Sequence, residues 1–173
     1  MLRPAACALL VALAFACRGD TAEPLWIDRP AAQPWRPALE YAAERTGLPV
    51  AVVAELIGAE SSFRNIHNPN TTASGFGQQI DRNQIMLRYN LHPMRPAESI
   101  LGAALELRER LDATGSLSKA LRGYGTTSGL TPARRRAMEA RFAVAAKTVA
   151  AQMVAQQVAP ITVGQLHIPA PQP

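Results

Sequence analysis

Residues 48–62 read LPVAVVAELIGAESS, and this stretch decides the architecture. Val53, Leu56, Ile57 and Glu60 recur at three- and four-residue spacings, the period of one helical face and not the alternation of a strand. The stretch predicts a helix that opens after Leu48-Pro49 and carries an acid on its apolar stripe. Burial disfavours the charged form of such a carboxyl, and the partial negative charge at a helix C-terminus acts in the same direction. Glu60 is therefore read as an acid that holds a proton near neutral pH and can deliver it to a leaving group.

Outward from this helix the pattern stays helical. The chain is 48% hydrophobic, largely alanine, leucine and valine, and only 5% aromatic. That balance favours close-packed helices over a β-sandwich, so the fold class is mainly α. A first helix fits residues 37–46, with proline in its opening turn and Gly47 as its stop. Residues 64–79, RNIHNPNTTASGFGQQ, are dense in Asn, Thr, Ser and Gly and predict a turn-rich loop or a short irregular hairpin. A short helix is expected within 81–90. A strong one follows over 96–114, with Ala97, Ile100, Ala104, Leu107 and Leu111 on one face, Glu106, Arg108, Glu109 and Arg110 mostly elsewhere, and Gly115 as the stop. Residues 116–122 offer two more turns before a break at Gly123-Tyr124-Gly125. Thr131-Pro132 then opens a last helix that continues to about residue 158.

The chain starts MLRPAACALLVALAFAC: one arginine, an apolar run over 5–15, and Ala14-Phe15-Ala16 as a small-x-small site. That layout predicts a secretory signal peptide over 1–16 and an exported protein. The run is shorter than the ~20 residues that cross a bilayer, and no other stretch is longer. Both cysteines, Cys7 and Cys17, lie in the leader region, so the folded part is expected to hold no disulfide and no cysteine metal site. Cys17 after Ala14-Phe15-Ala16 resembles the lipobox of bacterial lipoproteins, with Ala14 where leucine is usual. A lipid anchor on Cys17 and an ordinary periplasmic N-terminus both stay open.

Residues 17–34 read as a proline-rich linker or arm, with Trp26 and Trp35 available to pin it. A domain over 35–158 and a proline-rich, disordered tail over 159–173 follow. The net charge of +5 directs attention to anionic partners: nucleic acid, anionic lipid or an acidic polymer such as bacterial cell wall. Nucleic acid conflicts with the export signal and with the lack of aromatics among Arg134, Arg135 and Arg136. Those arginines form either a solvated basic face or a contact to an anionic polymer or lipid. His67 has no second histidine or acid at ligand spacing, so neither a metal nor another cofactor is expected.

The chemistry-bearing segments come in a fixed order: Glu60-Ser61-Ser62-Phe63, then Ala73-Ser74-Gly75-Phe76-Gly77-Gln78, then a long helix, then Tyr124 between glycines. This ordered set resembles the lytic transglycosylases of the soluble, lysozyme-like superfamily, which cleave the peptidoglycan glycan strand. The likeness covers roughly residues 35–149. Their first motif, a glutamate followed by serine and an aromatic, is matched by Glu60, Ser61 and Phe63. The second, a serine- and glycine-containing loop leading to Gly-Leu-Met-Gln, is matched by Ser74, Gly75 and Gln78, with Phe76-Gly77 in place of Leu-Met. Of the third, Ala-Tyr-Asn, only Tyr124 is present, between Gly123 and Gly125.

The resemblance implies a lysozyme-like helical domain with the polar loop at its cleft, acting as a monomer without a cofactor. It implies Glu60 as the catalytic residue and Ser61, Ser74, Gln78 and Tyr124 as substrate contacts. Glycosidases usually employ two carboxylates, whereas these enzymes employ one, as acid and then as base. Small members are often carried with envelope-spanning secretion or conjugation complexes, or with phage particles. From the residues alone, Ser61 can equally help end its helix, Gln78 can shape its loop, and Tyr124 can fill the core or bond Glu60. Asp81 is either the second acid of a hydrolytic muramidase or the N-cap of the helix at 82–90. A non-catalytic wall-binding component of a secretion assembly is the rival from another class.

Overall fold

The helix predicted around Glu60 forms, over Val50–Ser61, and lies in the core. The computed structural model describes residues 23–80, 83–126 and 129–155, with 148–155 described by backbone alone. The expected leader 1–16 and tail 159–173, together with Cys17 and Asp81, lie outside the described residues. The described helices are α1 (Arg36–Thr46), α2 (Val50–Ser61), α3 (Gln84–Arg88), α4 (Pro96–Thr114), α5 (Leu117–Tyr124) and α6 (Pro132–Ala155). Strands β1 (Ile66–His67), β2 (Ala73–Gly75) and β3 (Gln79–Ile80) form an antiparallel sheet in that order. The class is mainly α, and no described helix is long and apolar enough to cross a membrane.

Helix α2 packs against α1, α4, α6 and a 3-10 turn at Trp26–Asp28. Every residue over 51–58 is buried, so the helix is enclosed on nearly all sides instead of along one stripe. Its valines, alanines and leucine let neighbours approach from each direction, and a helix apolar all round belongs inside. Leu39 of α1, Ile100 and Leu107 of α4, Leu121 of α5 and Phe142 of α6 meet in the same core. On α4, Ile100, Ala104 and Leu107 are buried as the spacing predicts, Leu111 packs at the margin and Ala97 is exposed.

Enclosure changes which acid is deeply buried. Glu55, off the counted stripe, is 2% exposed, while Glu60 near the helix end is half-buried. The Glu55 carboxylate is held by Arg141, through Nε to Oε2 at 2.9 Å and Nη2 to Oε1 at 3.1 Å, and by the backbone N–H of Trp26 at 2.6 Å. A paired, fully bonded carboxylate is the form in which a charge can sit in a core. Arg141 also donates to the carbonyls of Glu23 and Pro24, so one guanidinium ties α6, α2 and the arm together.

The arm follows the domain through two 3-10 turns, Trp26–Asp28 and Pro30–Trp35. The Trp26 ring lies on Gly58 so closely that a Cβ there would stand 2.2 Å from ring carbons. Trp26 reaches Phe63 at 5.8 Å between centroids, Phe63 reaches Phe76 at 6.4 Å, and Trp35 meets Phe76 edge-on at 4.8 Å. Both tryptophans thus pin the arm, and the aromatic run backs both segments that flank Glu60.

Helix ends depart from expectation at two places. Helix α3 opens at Gln84 because Asn83, not Asp81, caps it, its Oδ1 accepting from the Ile85 N–H at 2.8 Å. Helix α5 does not break at Gly123; it continues through Tyr124 and stops at Gly125, which takes a left-handed φ of 106°. An internal glycine costs a helix only about 1 kcal/mol, and the Tyr124 anchor described below sits on the turn it would otherwise disrupt. Gly47 and Gly115 end α1 and α4 in the left-handed conformation, as predicted.

Candidate active site

Glu60 sits one residue before the end of α2, where the chain turns sharply. Ser62 and Phe63 take left-handed φ values of 53° and 60°, a costly pair for residues with side chains. Burial of the Phe63 ring between Trp26 and Phe76 holds that turn. The glutamate side chain leaves the turn toward the far end of α5. There the Thr126 hydroxyl donates to Glu60 Oε1 at 2.6 Å.

Burial pushes the Glu60 carboxyl up to about 7, the Thr126 bond pulls it down, and the charge of Glu106 adds to the upward push. The group therefore changes protonation near neutral pH, as its sequence position predicts.

Tyr124 does not bond Glu60. Its hydroxyl donates to the Gly77 carbonyl at 2.8 Å, joining the end of α5 to the loop between β2 and β3. Burial, then the carboxylates of Glu60 and Glu106, hold the phenol well above its ordinary value against Arg110. It stays a protonated donor. Its hydroxyl fixes the loop.

The other expected contacts are engaged by the scaffold. Ser61 is 3% exposed and its hydroxyl donates to the Ile57 carbonyl one turn back at 3.2 Å, the helix-ending alternative. Ser74 is 4% exposed in the middle strand, in register with His67 and Gln79. Gln78, at φ 49°, uses its amide nitrogen on the carbonyls of Ile66 and Gly75 at 3.1 and 2.9 Å, the loop-shaping alternative. Gly75 is required as glycine: its φ is +77° and a Cβ would fall 1.7 Å from the Pro93 carbonyl oxygen. Ser61 and Gln78 thus spend their side chains on backbone carbonyls, and Thr126 is the side chain that reaches the Glu60 carboxyl.

Two residues of this group carry no signal in the readings above. Thr126 lies beyond the matched segments and reaches Glu60 across 66 positions. Glu106, expected mostly on the outer face of α4, is 8% exposed; it accepts from Asn83 Nδ2 at 2.6 Å and Arg110 Nη2 at 2.6 Å. Gly102 and Ala103, one turn earlier and buried, mark the face it shares. Both Glu106 oxygens are thus engaged, and its charge adds to the upward push on Glu60.

His67 is exposed on β1, and among the described residues no group of three or more His, Cys, Asp or Glu is arranged to hold a metal ion. Arg134, Arg135 and Arg136 open α6 without a carboxylate partner among the described residues, Arg134 and Arg136 being exposed. The arrangement offers one carboxyl that titrates near neutrality, one hydroxyl donor to it, and a polar loop braced by Gln78 and Tyr124. No protein-family model matches the chain, and neither does any curated protein or solved structure.

Proposed function

We propose that the protein is an exported peptidoglycan lytic transglycosylase with a lysozyme-like fold, in which Glu60 alone carries the proton. The observation that supports this best is the convergence at Glu60 of segments far apart in sequence. Thr126 donates to its carboxyl, and next to it Tyr124 ties down the loop at Gly77. A carboxyl pushed up to about 7 starts protonated at mildly acid pH and recovers a proton readily after giving it up.

Glu60 donates its proton to the oxygen joining N-acetylmuramic acid to N-acetylglucosamine, and the C1–O bond breaks. The N-acetylglucosamine leaves with its 4-hydroxyl restored. The ionised carboxylate then removes the proton from the muramic C6 hydroxyl, whose oxygen closes onto C1 to form the 1,6-anhydro ring. No water is consumed. Both oxygens of Glu106 are engaged by Asn83 and Arg110, which leaves it poorly suited to activate a water.

A short exported domain of this kind suits local opening of the wall by an envelope-spanning assembly. Mass analysis of muropeptides released by the purified protein tests the activity. Anhydro-ended products are expected from the wild type, and none from Glu60→Gln, which keeps shape and loses the titrating proton. Reducing ends would make the protein a hydrolase, and equal release by Glu60→Gln would overturn the assignment.

A further inference from the structure

Thr126 stands outside every segment that pointed to Glu60, yet it makes the one side-chain hydrogen bond to that carboxyl among the described residues. Its position is built from several directions. Helix α5 ends at left-handed Gly125, which swings the next residue back toward α2. The Tyr124 hydroxyl, bonded to the Gly77 carbonyl at 2.8 Å, anchors that end of α5 to the loop. Threonine's branched Cβ restricts χ1, so its hydroxyl has few alternative directions.

We propose that Thr126 is a positioning residue for the Glu60 acid: by donating to Oε1 it assigns the transferable proton to Oε2. This rests on the transglycosylase reading above and adds which oxygen acts and what selects it. A neutral carboxyl has one carbonyl oxygen and one hydroxyl oxygen, and the carbonyl oxygen is the better acceptor. With the Thr126 Oγ1 at 2.6 Å from Oε1 and donating to it, that oxygen takes the carbonyl role and the acid proton rests on Oε2. When the proton leaves, the same bond becomes charge-assisted and stronger, which stabilises the carboxylate until Oε2 is protonated again. It also resists rotation of the carboxyl that would exchange the two oxygens.

The charged and titratable groups around Glu60 act in known directions. From α4, Glu106, itself bonded to Arg110 and Asn83, opposes ionisation. From α5, the Tyr124 phenol stays neutral. Thr126 is the group that favours the ionised form, against burial and Glu106.

Thr126→Val in the full chain removes the donor and keeps the shape, and Thr126→Ser restores the donor. Since Glu60 must begin protonated, activity falls on the alkaline side as pH passes its pKa. Loss of a donor to the carboxylate raises that pKa. For Thr126→Val the alkaline limb is expected to move up by about one pH unit, with kcat about tenfold lower and KM nearly unchanged. Thr126→Ser should return both toward wild type. Thr126→Ala reads the same way where the valine methyl disturbs the turn. An unmoved alkaline limb, or a serine variant as impaired as the valine one, overturns the proposal.

An NMR titration of the Glu60 carboxyl carbon in the same variants needs no turnover. An upward shift in Thr126→Val supports the assignment and an unchanged midpoint overturns it. If the wild type releases no anhydro-ended glycan, the transglycosylase reading falls, and this titration still decides whether Thr126 controls the carboxyl.

Discussion

The Tyr124 hydroxyl donates to the Gly77 carbonyl at 2.8 Å across 47 positions of chain, so the third segment of the candidate site is bolted to the second. The bond explains why α5 continues past Gly123: its last turn carries the anchor. Removing the hydroxyl with Tyr124→Phe leaves the buried Gly77 carbonyl without its donor, at a cost of about 1–2 kcal/mol. Denaturant unfolding should show that loss. Hydrogen exchange should show faster opening of residues 73–80. Unchanged exchange in this loop would mean the bond does not hold it.

Glu60 makes the fold sensitive to pH in the direction opposite to a salt-bridged carboxylate. Its carboxyl is pushed from 4.5 up to about 7 in the folded protein. Between those values the native state therefore holds a proton that the unfolded state has released. Stability falls as pH rises through that window and stays lower above it. Glu60→Gln lacks the penalty, so at pH 8 it should be more stable than wild type by up to about 3 kcal/mol, with the advantage absent near pH 4. Urea midpoints of both proteins at the two pH values check this; a difference independent of pH would count against a buried, titrating Glu60.

Arg141 is the counter-charge of the deepest acid, Glu55, and also grips the arm. Arg141→Met leaves a carboxylate uncompensated in the core and should destabilise by about 3 kcal/mol. Adding Glu55→Gln removes the stranded charge, so the double variant should recover much of the loss in thermal unfolding. No recovery would place the effect of Arg141 in its carbonyl contacts to the arm.

Gly58 leaves room for the Trp26 ring and nothing more. Gly58→Ala should push the ring off α2, costing about 1–3 kcal/mol. Trp26 emission should move toward that of an exposed indole, read in a Trp35→Phe background. Unchanged emission and stability would show that the arm is not seated on Gly58.

Helix existence was legible because it is a local property. The spacings in 48–62 and 96–114, and the glycines at 47 and 115, specify periodicity and stops without reference to distant residues. The tryptophans of the arm were legible as anchors for a similar reason: large apolar rings in an otherwise unpatterned segment need a surface to cover. Glu60 was also visible, as an acid near the end of an apolar helix.

The sequence by itself determined a mainly helical chain, an acid near the end of an apolar helix, and the segments to search for its neighbours. Only the tertiary structure decided that Glu55 is the deeply buried, ion-paired acid and Glu60 the half-buried, titrating one. Periodicity locates a face, but the number of elements packed on it sets desolvation. The same holds for hydrogen bonds. Ser61 and Gln78 turned to nearby carbonyls, Tyr124 to Gly77, and Thr126 to Glu60, because a donor takes the acceptor that folding brings within about 3 Å, whatever their separation along the chain.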